Sequence, residues 1–229
     1  MGRLDIGLFA KAPRLGAVKS RLVPPLDERE ALDFYLAGLR DTWEAVARGA
    51  NALGATATVL HTPPDAGPEL CDALGDVPVA AQAAGSLDVR LERFFAVAFL
   101  RGAGGGAIAV GADHPGLPDG HLASVARELE RADVVLGPSS DGGYWAIAVR
   151  RRLEAGWLAG VPWSTPDVLE ETRLRAGMVG ATVALARPWF DVDREADLGR
   201  LRGVIAERRG MRRADFPRHC AAWFDARGR

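Results

Sequence analysis

The 229-residue chain has a formal net charge of −1 and is 48% hydrophobic and 26% charged, a balance typical of globular proteins that bury a sizeable core. The near-neutral charge argues against general binding to nucleic acid or acidic membranes, and no apolar run is long enough to span a bilayer. Cys71 and Cys220 lack metal-type spacing and no leader-like segment follows Met1, so we expect a cytoplasmic protein in a reducing compartment.

The chain opens with an apolar strand, residues 4–10, that runs into a basic loop punctuated by proline and glycine. Gly16 lets the backbone of this loop approach a ligand closely. The loop also offers four cationic side chains, Lys11, Arg14, Lys19 and Arg21. A strand that feeds such a loop is a common way of binding phosphates, so we predict an anion site here.

Strands then alternate with helices along most of the chain. Apolar patterning predicts further strands at 56–61, 77–81, 107–111, 134–136, 145–149 and 182–186. It predicts helices at about 27–48, 69–74, 86–100, 120–131, 194–208 and from 167 onward, the first of them broken by Gly49 and Gly54. This order predicts one α/β domain over residues 1–208, with a mostly parallel, mixed sheet and helices on both faces. The basic tail, 209–229, is expected to pack on it.

Three aspartates follow predicted strands and would reach the same sheet edge as the basic loop. Asp113 is suited to hold Mg²⁺ or Mn²⁺, which prefer oxygen ligands and often share phosphates, or else it caps the next turn. Asp193, in a D-V-D stretch, either faces the same site or caps the following helix. Asp141 precedes Gly142 and Gly143, which permit a close backbone approach to a ligand or simply form a hairpin turn.

Together these segments resemble the signatures of a bacterial glycosyltransferase-A-like family, some members of which are described as arsenosugar-type glycosyltransferases. Residues 9–22 (FAKAPRLGAVKSRL) are similar to its K-x-P-x-x-G-x-V-K-[ST]-R-L motif. Residues 82–87 match P-Q-x-x-G-x-L, with Ala81 replacing the proline, and 111–115 match G-[ST]-D-C-P, with Ala112 and His114 as departures. Further matches are G-P-x-x-D-G-G-Y at 137–144, P-W-S-T-x-x-V-L at 162–169 and D-V-D at 191–193. The resemblance spans about residues 4–201.

This resemblance implies the nucleotide-diphospho-sugar transferase fold, which sugar transferases and nucleotidyltransferases share. It implies that a divalent cation, Mg²⁺ or Mn²⁺, is held by Asp113, with Asp193 as a second ligand. It places the nucleotide base near Gln82 and Gly85. The residues implied to contact the nucleotide phosphates are Lys11, Pro13, Gly16, Lys19 and Arg21.

We favour a metal-dependent glycosyltransferase that uses a nucleotide-sugar donor and a small-molecule acceptor. Lys19 and Arg21 would stabilise the leaving diphosphate, and Asp141 would orient the acceptor or act as a general base. The predicted substrate pocket comprises Gly142, Gly143, Tyr144 and Trp163.

Two alternatives remain open. One is a nucleotidyltransferase acting on a nucleoside triphosphate, because residues 17–22 also resemble phospholactate guanylyltransferases; the D-G-G-Y and P-W-S-T segments fit the first family better. The other is a non-catalytic nucleotide-binding protein on the same fold, against which the retained basic and acidic residues argue. No nucleic-acid partner is expected, and a homodimer is left open.

Overall fold

The computed structural model describes residues 2–211 and 213–228 and forms a single α/β domain around a seven-stranded sheet. The strands are β1 (Leu4–Lys11), β2 (Thr56–Thr62), β3 (Val79–Ala81), β4 (Gly106–Gly111), β5 (Val134–Pro138), β6 (Tyr144–Val149) and β7 (Val183–Leu185). The helices are α1 (Glu28–Ala52), α2 (Gly67–Leu74), α3 (Leu87–Leu100), α4 (His121–Leu129), α5 (Val168–Met178), α6 (Glu195–Arg208) and α7 (Arg218–Arg227). A short 3₁₀ helix, Ser20–Leu22, lies in the basic loop.

The strand order, β3-β2-β1-β4-β6-β5-β7, confirms the predicted mixed sheet. β6 runs antiparallel to both of its neighbours, and the remaining pairs are parallel. The chain proceeds from β1 outward through β2 and β3, then returns to place β4 on the other side of β1. The boundary between β1 and β4 is therefore a topological switch point, where doubly wound sheets open a crevice for ligands.

Both faces of the sheet are buried, as the continuous apolar runs of the strands require. Leu4, Ile6 and Leu8 of β1 point to the face covered by α1, α2 and α4. The opposite face is covered by α3 and α5, through residues such as Phe95 and Val168. In the part of the chain that the structure describes, no helix combines the length and apolarity needed to cross a membrane.

α1 begins with a capping box, in which the Asp27 carboxylate accepts from the Glu30 amide and the Glu30 side chain accepts from the Asp27 amide. The helix ends at Ala52, so the predicted break at Gly49 is wrong, whereas Gly54 (φ 60°) does follow the helix end. Gly49 lies inside the helix because α4 packs against it: a Cβ there would come within 2.5 Å of Leu122 Cδ1. Close helix packing, rather than helix termination, accounts for this glycine.

α6 and α7 form an outer layer on α1, through an apolar cluster that includes Phe34, Leu201 and Phe224. The rings of Phe34 and Trp223 pack edge to face, with centroids 5.0 Å apart. Asp41 of α1 accepts from the backbone amides of His219 (3.0 Å) and Cys220 (2.8 Å), and so caps the N-terminus of α7. The sequence pattern had predicted no helix in this tail.

A buried carboxylate joins three strands at the opposite end of the sheet from the β1–β4 crevice. Asp133 precedes β5, and its side chain is 8% exposed. It accepts from the guanidinium groups of Arg150 (2.6 Å) and Arg151 (2.9 Å) after β6, and from the amide and hydroxyl of Thr182 (both 3.1 Å) before β7. The hydrogen bond from Arg151 is the main reason why the pKa of Asp133 lies well below its usual range.

Asp133→Asn should lower the free energy of unfolding at pH 7 by about 2 kcal/mol, because it leaves two guanidinium groups without their charged partner. The native pKa of Asp133 is depressed, so its contribution is complete above the unfolded-state value of about 3.9 and is lost as the pH falls toward the native value. The difference in the free energy of unfolding between wild type and variant should therefore decrease below about pH 4. Urea denaturation at pH 7 and pH 3 measures this, with the exposed Asp72→Asn of α2 as control. Equal stabilities at pH 7 would contradict the assignment.

Candidate nucleotide site

A cavity of about 520 Å³ opens at the sheet edge where β1, β2 and β4 end and β6 begins. This edge contains the switch point between β1 and β4, where ligand binding is expected from topology. The polar and aromatic side chains that line it include those of Lys11, Lys19, Tyr35, Gln82, Arg90, Asp113, Tyr144, Trp163 and Asp193. The cavity thus brings together residues that are remote in the sequence.

Lys19 occupies the centre of this edge. Its backbone is left-handed (φ 52°), a conformation that is uncommon outside glycine. The side chain is only 5% exposed, and its Nζ forms ion pairs with Asp113 Oδ1 and, at 3.7 Å, with Asp193 Oδ1. Nζ also donates to the Val192 carbonyl oxygen at 2.7 Å. The ammonium is therefore held between two carboxylates and a main-chain carbonyl oxygen.

Burial alternates along residues 190–193, as it does where alternate side chains point in opposite directions. Phe190 and Val192 are buried in the cluster beneath α6, which turns Asp191 and Asp193 outward. Asp193 accepts from Arg21 at 2.8 Å. It does not cap α6: the N-cap position is Arg194, and the Asp197 carboxylate accepts from the amides of Asp193 and Arg194 just before the helix. Asp193 thus faces the cavity rather than the helix end.

Asp113 follows β4 directly, and its side chain is 48% exposed in the cavity. Its carbonyl oxygen accepts from the Val192 amide at 3.0 Å, which fixes the D-V-D segment beside it. The protein around the cavity partly desolvates this carboxyl, which alone would raise its pKa, but the Lys19 ammonium outweighs that effect, so the pKa lies below the usual range. The group is therefore a carboxylate at neutral pH.

The carboxylates of Asp113 and Asp193 have the hard oxygen donors that Mg²⁺ and Mn²⁺ prefer. Both lie within reach of one cationic nitrogen, which shows that a single positive charge can contact the two together. The donor set therefore fits a divalent cation, provided that the Lys19 ammonium moves aside.

Among residues 2–211 and 213–228, one group of three side chains is close enough together to hold a metal ion, and this group lies outside the cavity. It comprises Asp41, Glu44 and His219 at the contact of α1 and α7. Both oxygens of Asp41 already accept from the first amides of α7. This group therefore serves the packing of α7.

The other residues of the basic loop divide between the cavity and the surface. Lys11 ends β1 and lines the cavity, and its backbone is held by the hydroxyl of Tyr35, which accepts from the amide (3.0 Å) and donates to the carbonyl (2.9 Å). Arg14 instead pairs with Asp65 and Glu69. Pro13, Gly16 and Arg21 are in the loop but not in the cavity lining.

Gln82 lines the cavity, but most of its amide is engaged by the scaffold. Its Nε2 donates to the carbonyl oxygens of Leu60 (2.7 Å) and Ala10 (3.3 Å), and its Oε1 accepts from Arg90 at 3.0 Å. Gly85 lies in the turn before α3 with a left-handed φ of 115° and does not line the cavity.

Tyr144 and Trp163 form the wall of the cavity on the β6 side, with ring centroids 6.4 Å apart. Burial raises the pKa of Tyr144, so its hydroxyl stays neutral. Gly142 has φ 88°, and a Cβ there would overlap the backbone of Pro166; glycine is thus required where the β5–β6 turn presses on the loop that carries Trp163. The Leu169 amide donates to the Gly142 carbonyl at 2.9 Å and holds this contact.

Asp141 lies exposed in the β5–β6 hairpin turn, outside the cavity lining. Its Oδ1 accepts from the Gly143 amide at 2.9 Å, the local turn geometry that the Asp-Gly pair favours. It lies near Asp191, whose own Oδ1 accepts from the Ser139 hydroxyl at 2.9 Å. Burial, and then the negative charge of Asp141, raise the pKa of Asp191.

Tyr35 and Arg90 are site residues that the sequence did not single out. Tyr35 carries a polar group on the apolar face of α1, which is the one signal that could have revealed it. Arg90 lies among other charged residues of α3, where a solvated surface is the ordinary interpretation.

The profile of a bacterial protein family described as "Uncharacterized protein conserved in bacteria (DUF2064)" matches residues 45–165. No curated protein has significant sequence similarity to the chain. Among solved structures, a Desulfovibrio desulfuricans G20 protein provisionally assigned as a nucleotide-diphospho-sugar transferase superposes with a TM-score of 0.78 at 24% identity, covering 99% of this chain and 98% of that one.

Two more distant structures have the same fold. CMP:2-keto-3-deoxy-manno-octonic acid synthetase, in complex with CTP, has a TM-score of 0.55 at 13% identity and covers 90% of this chain and 99% of that one. For 4-diphosphocytidyl-2C-methyl-D-erythritol synthase the TM-score is 0.51 at 14% identity, and the match covers 90% of this chain and 99% of that one. The predicted nucleotide-diphospho-sugar transferase fold is confirmed.

Lys19→Met should increase the affinity for Mn²⁺ by about tenfold or more, because it removes the ammonium that competes for Asp113 and Asp193. Mn²⁺ titration followed by electron paramagnetic resonance measures this without any substrate. Lys11→Met removes a positive charge from the same cavity without breaking these ion pairs, so its effect should be much smaller. Unchanged or weaker Mn²⁺ binding in a folded Lys19→Met protein would contradict the arrangement.

Proposed function

The chain belongs to the bacterial protein family DUF2064, and we propose that it is a transferase that moves a sugar from a nucleoside-diphosphate donor to a small-molecule acceptor. One observation carries this proposal: Lys19, Asp113 and Asp193 converge in a cavity at the switch point of a nucleotide-diphospho-sugar transferase fold. A cationic group, and carboxylates of the kind that hold a divalent cation, suit a diphosphate at this position.

Lys11, Lys19 and Arg21 are the residues proposed to stabilise the leaving diphosphate, as negative charge builds on it when its bond to the sugar breaks. Lys11 lines the cavity and Lys19 lies at its charged centre, while Arg21 orients Asp193. A bound Mg²⁺ or Mn²⁺, held by Asp113 and Asp193, would supply further positive charge to the same group. Pro13 and Gly16 would shape the loop around the phosphates.

The β6 side of the cavity is proposed to hold the sugar and the acceptor. Tyr144 and Trp163 offer aromatic walls there, and the Gly142–Gly143 turn positions the loop that carries Trp163. Asp141 is the proposed acceptor-orienting residue or general base; its exposed carboxylate is free to contact an acceptor through its second oxygen.

Nucleotidyl transfer is a second candidate, supported by the similarity of fold to CMP:2-keto-3-deoxy-manno-octonic acid synthetase and 4-diphosphocytidyl-2C-methyl-D-erythritol synthase. The two reactions differ in their products. Glycosyl transfer, or hydrolysis of the donor, releases a nucleoside diphosphate, whereas nucleotidyl transfer from a triphosphate releases pyrophosphate.

A panel of nucleotide sugars and nucleoside triphosphates, each with and without Mn²⁺, should contain a sugar donor that raises the melting temperature. At a hundred times the dissociation constant the gain is about 2.7 kcal/mol, or about 5 °C or more for a chain of this size. The stabilising donor should also release nucleoside diphosphate slowly. Asp113→Asn should abolish the additional rise in melting temperature that Mn²⁺ gives in the presence of the donor. Asp72→Asn should leave that rise unchanged.

Stabilisation by triphosphates alone, with release of pyrophosphate, would favour nucleotidyl transfer. The absence of any stabilisation by either class of compound would overturn both functions.

A further inference from the structure

The β2–β3 side of the cavity contains a guanidinium group that the charged centre does not use. Arg90 lies one turn into α3 and lines the cavity. Lys19, Arg21 and Arg14 all pair with carboxylates. Arg90, by contrast, forms no ion pair with any aspartate or glutamate of residues 2–211 and 213–228. Its protein partners are the Gln82 side chain at 3.0 Å and, weakly at 3.4 Å, the Ser86 carbonyl oxygen.

Gln82 holds this guanidinium in place. Both hydrogens of its amide nitrogen are engaged by carbonyl oxygens at the ends of β1 and β2, so the amide oxygen is directed toward Arg90. A neutral partner fixes the direction of the guanidinium without neutralising its charge. The remaining N–H groups of Arg90 are donors available to a ligand.

The surroundings of Arg90 are apolar rather than charged. Phe9, Leu87 and Leu91 line the same cavity and offer flat or aliphatic surface. The charged centre lies at the boundary of β1 and β4, the switch point where doubly wound sheets bind nucleotides, and the cavity extends from it to Arg90. A planar base against the apolar residues would place its edge near Arg90.

We propose that Arg90, positioned by Gln82, donates hydrogen bonds to the carbonyl edge of a keto base, so that the chain prefers guanine or uracil nucleotides to adenine or cytosine nucleotides. This rests on the proposed nucleotide-dependent function. A guanidinium offers donors only, and it matches the acceptor edge of guanine. Adenine and cytosine present an exocyclic amino group at the corresponding position, where donor would face donor.

The test compares the dissociation constants of GDP, UDP, ADP and CDP by calorimetry, at one salt concentration with MgCl₂. Wild type should bind GDP or UDP about tenfold or more tightly than ADP and CDP. Arg90→Met should weaken binding of the preferred nucleotide about tenfold and leave ADP and CDP nearly unchanged. Arg90→Lys, which keeps the charge but not the planar fork, should recover only part of the preference. Arg93→Met, exposed on the same helix, is the matched control and should bind like wild type.

Inorganic pyrophosphate separates base recognition from phosphate binding. Its affinity should be the same in wild type and Arg90→Met. Equal weakening of all four nucleotides and of pyrophosphate would make Arg90 a phosphate contact and overturn the proposal. A wild-type preference for ADP or CDP, or no preference, would overturn it while leaving the proposed function intact. Failure of every nucleotide and nucleotide sugar to bind would instead reject the proposed function, and the base preference with it.

Discussion

The buried ammonium of Lys19 is the interaction on which the candidate site depends. It joins the loop after β1, the end of β4 and the D-V-D segment before α6, three parts of the chain that are far apart in sequence. Two carboxylates at the mouth of a cavity would repel each other without a cation between them. The left-handed backbone of Lys19 directs its side chain inward to meet them, a strained conformation that the surrounding contacts maintain.

Around this charged centre the cavity has two different sides. Toward β2 and β3 the cavity is lined by Arg90 and apolar side chains, and Gln82 accepts a hydrogen bond that positions Arg90. Toward β6 it offers the rings of Tyr144 and Trp163, which the β5–β6 turn supports through Gly142. A bipartite ligand, with a diphosphate between a base and a sugar, matches this division. The division follows from the topology, because β1 and β4 separate the two halves of the sheet.

The sequence predicted the sheet well because each strand is an apolar run bounded by glycine, proline or charge. All seven strands were predicted within two residues of their bounds. The predicted break of α1 at Gly49 is wrong because the packing of Leu122 against this glycine is a tertiary contact, which local sequence does not show. α7 was missed because its apolar residues face α1 within a strongly basic tail.

The site was predictable in composition but not in its connections. Strand ends identified Asp113, Asp193 and the basic loop as neighbours, and the structure brings Lys19 to both carboxylates. No local pattern shows that Lys19 also donates to the Val192 carbonyl oxygen, or that Gln82 donates to the main-chain carbonyls of β1 and β2. Such partners are set by the fold. For the same reason Arg90, on a charged helix, could not be distinguished from an ordinary surface residue.

The most direct test of this account is a crystal structure of the chain with a nucleoside diphosphate and Mn²⁺. The diphosphate and the metal should lie beside Lys19, Asp113 and Asp193, with the base on the β2–β3 side of the cavity near Arg90. A nucleotide bound outside this cavity, or one with its base between Tyr144 and Trp163, would contradict it.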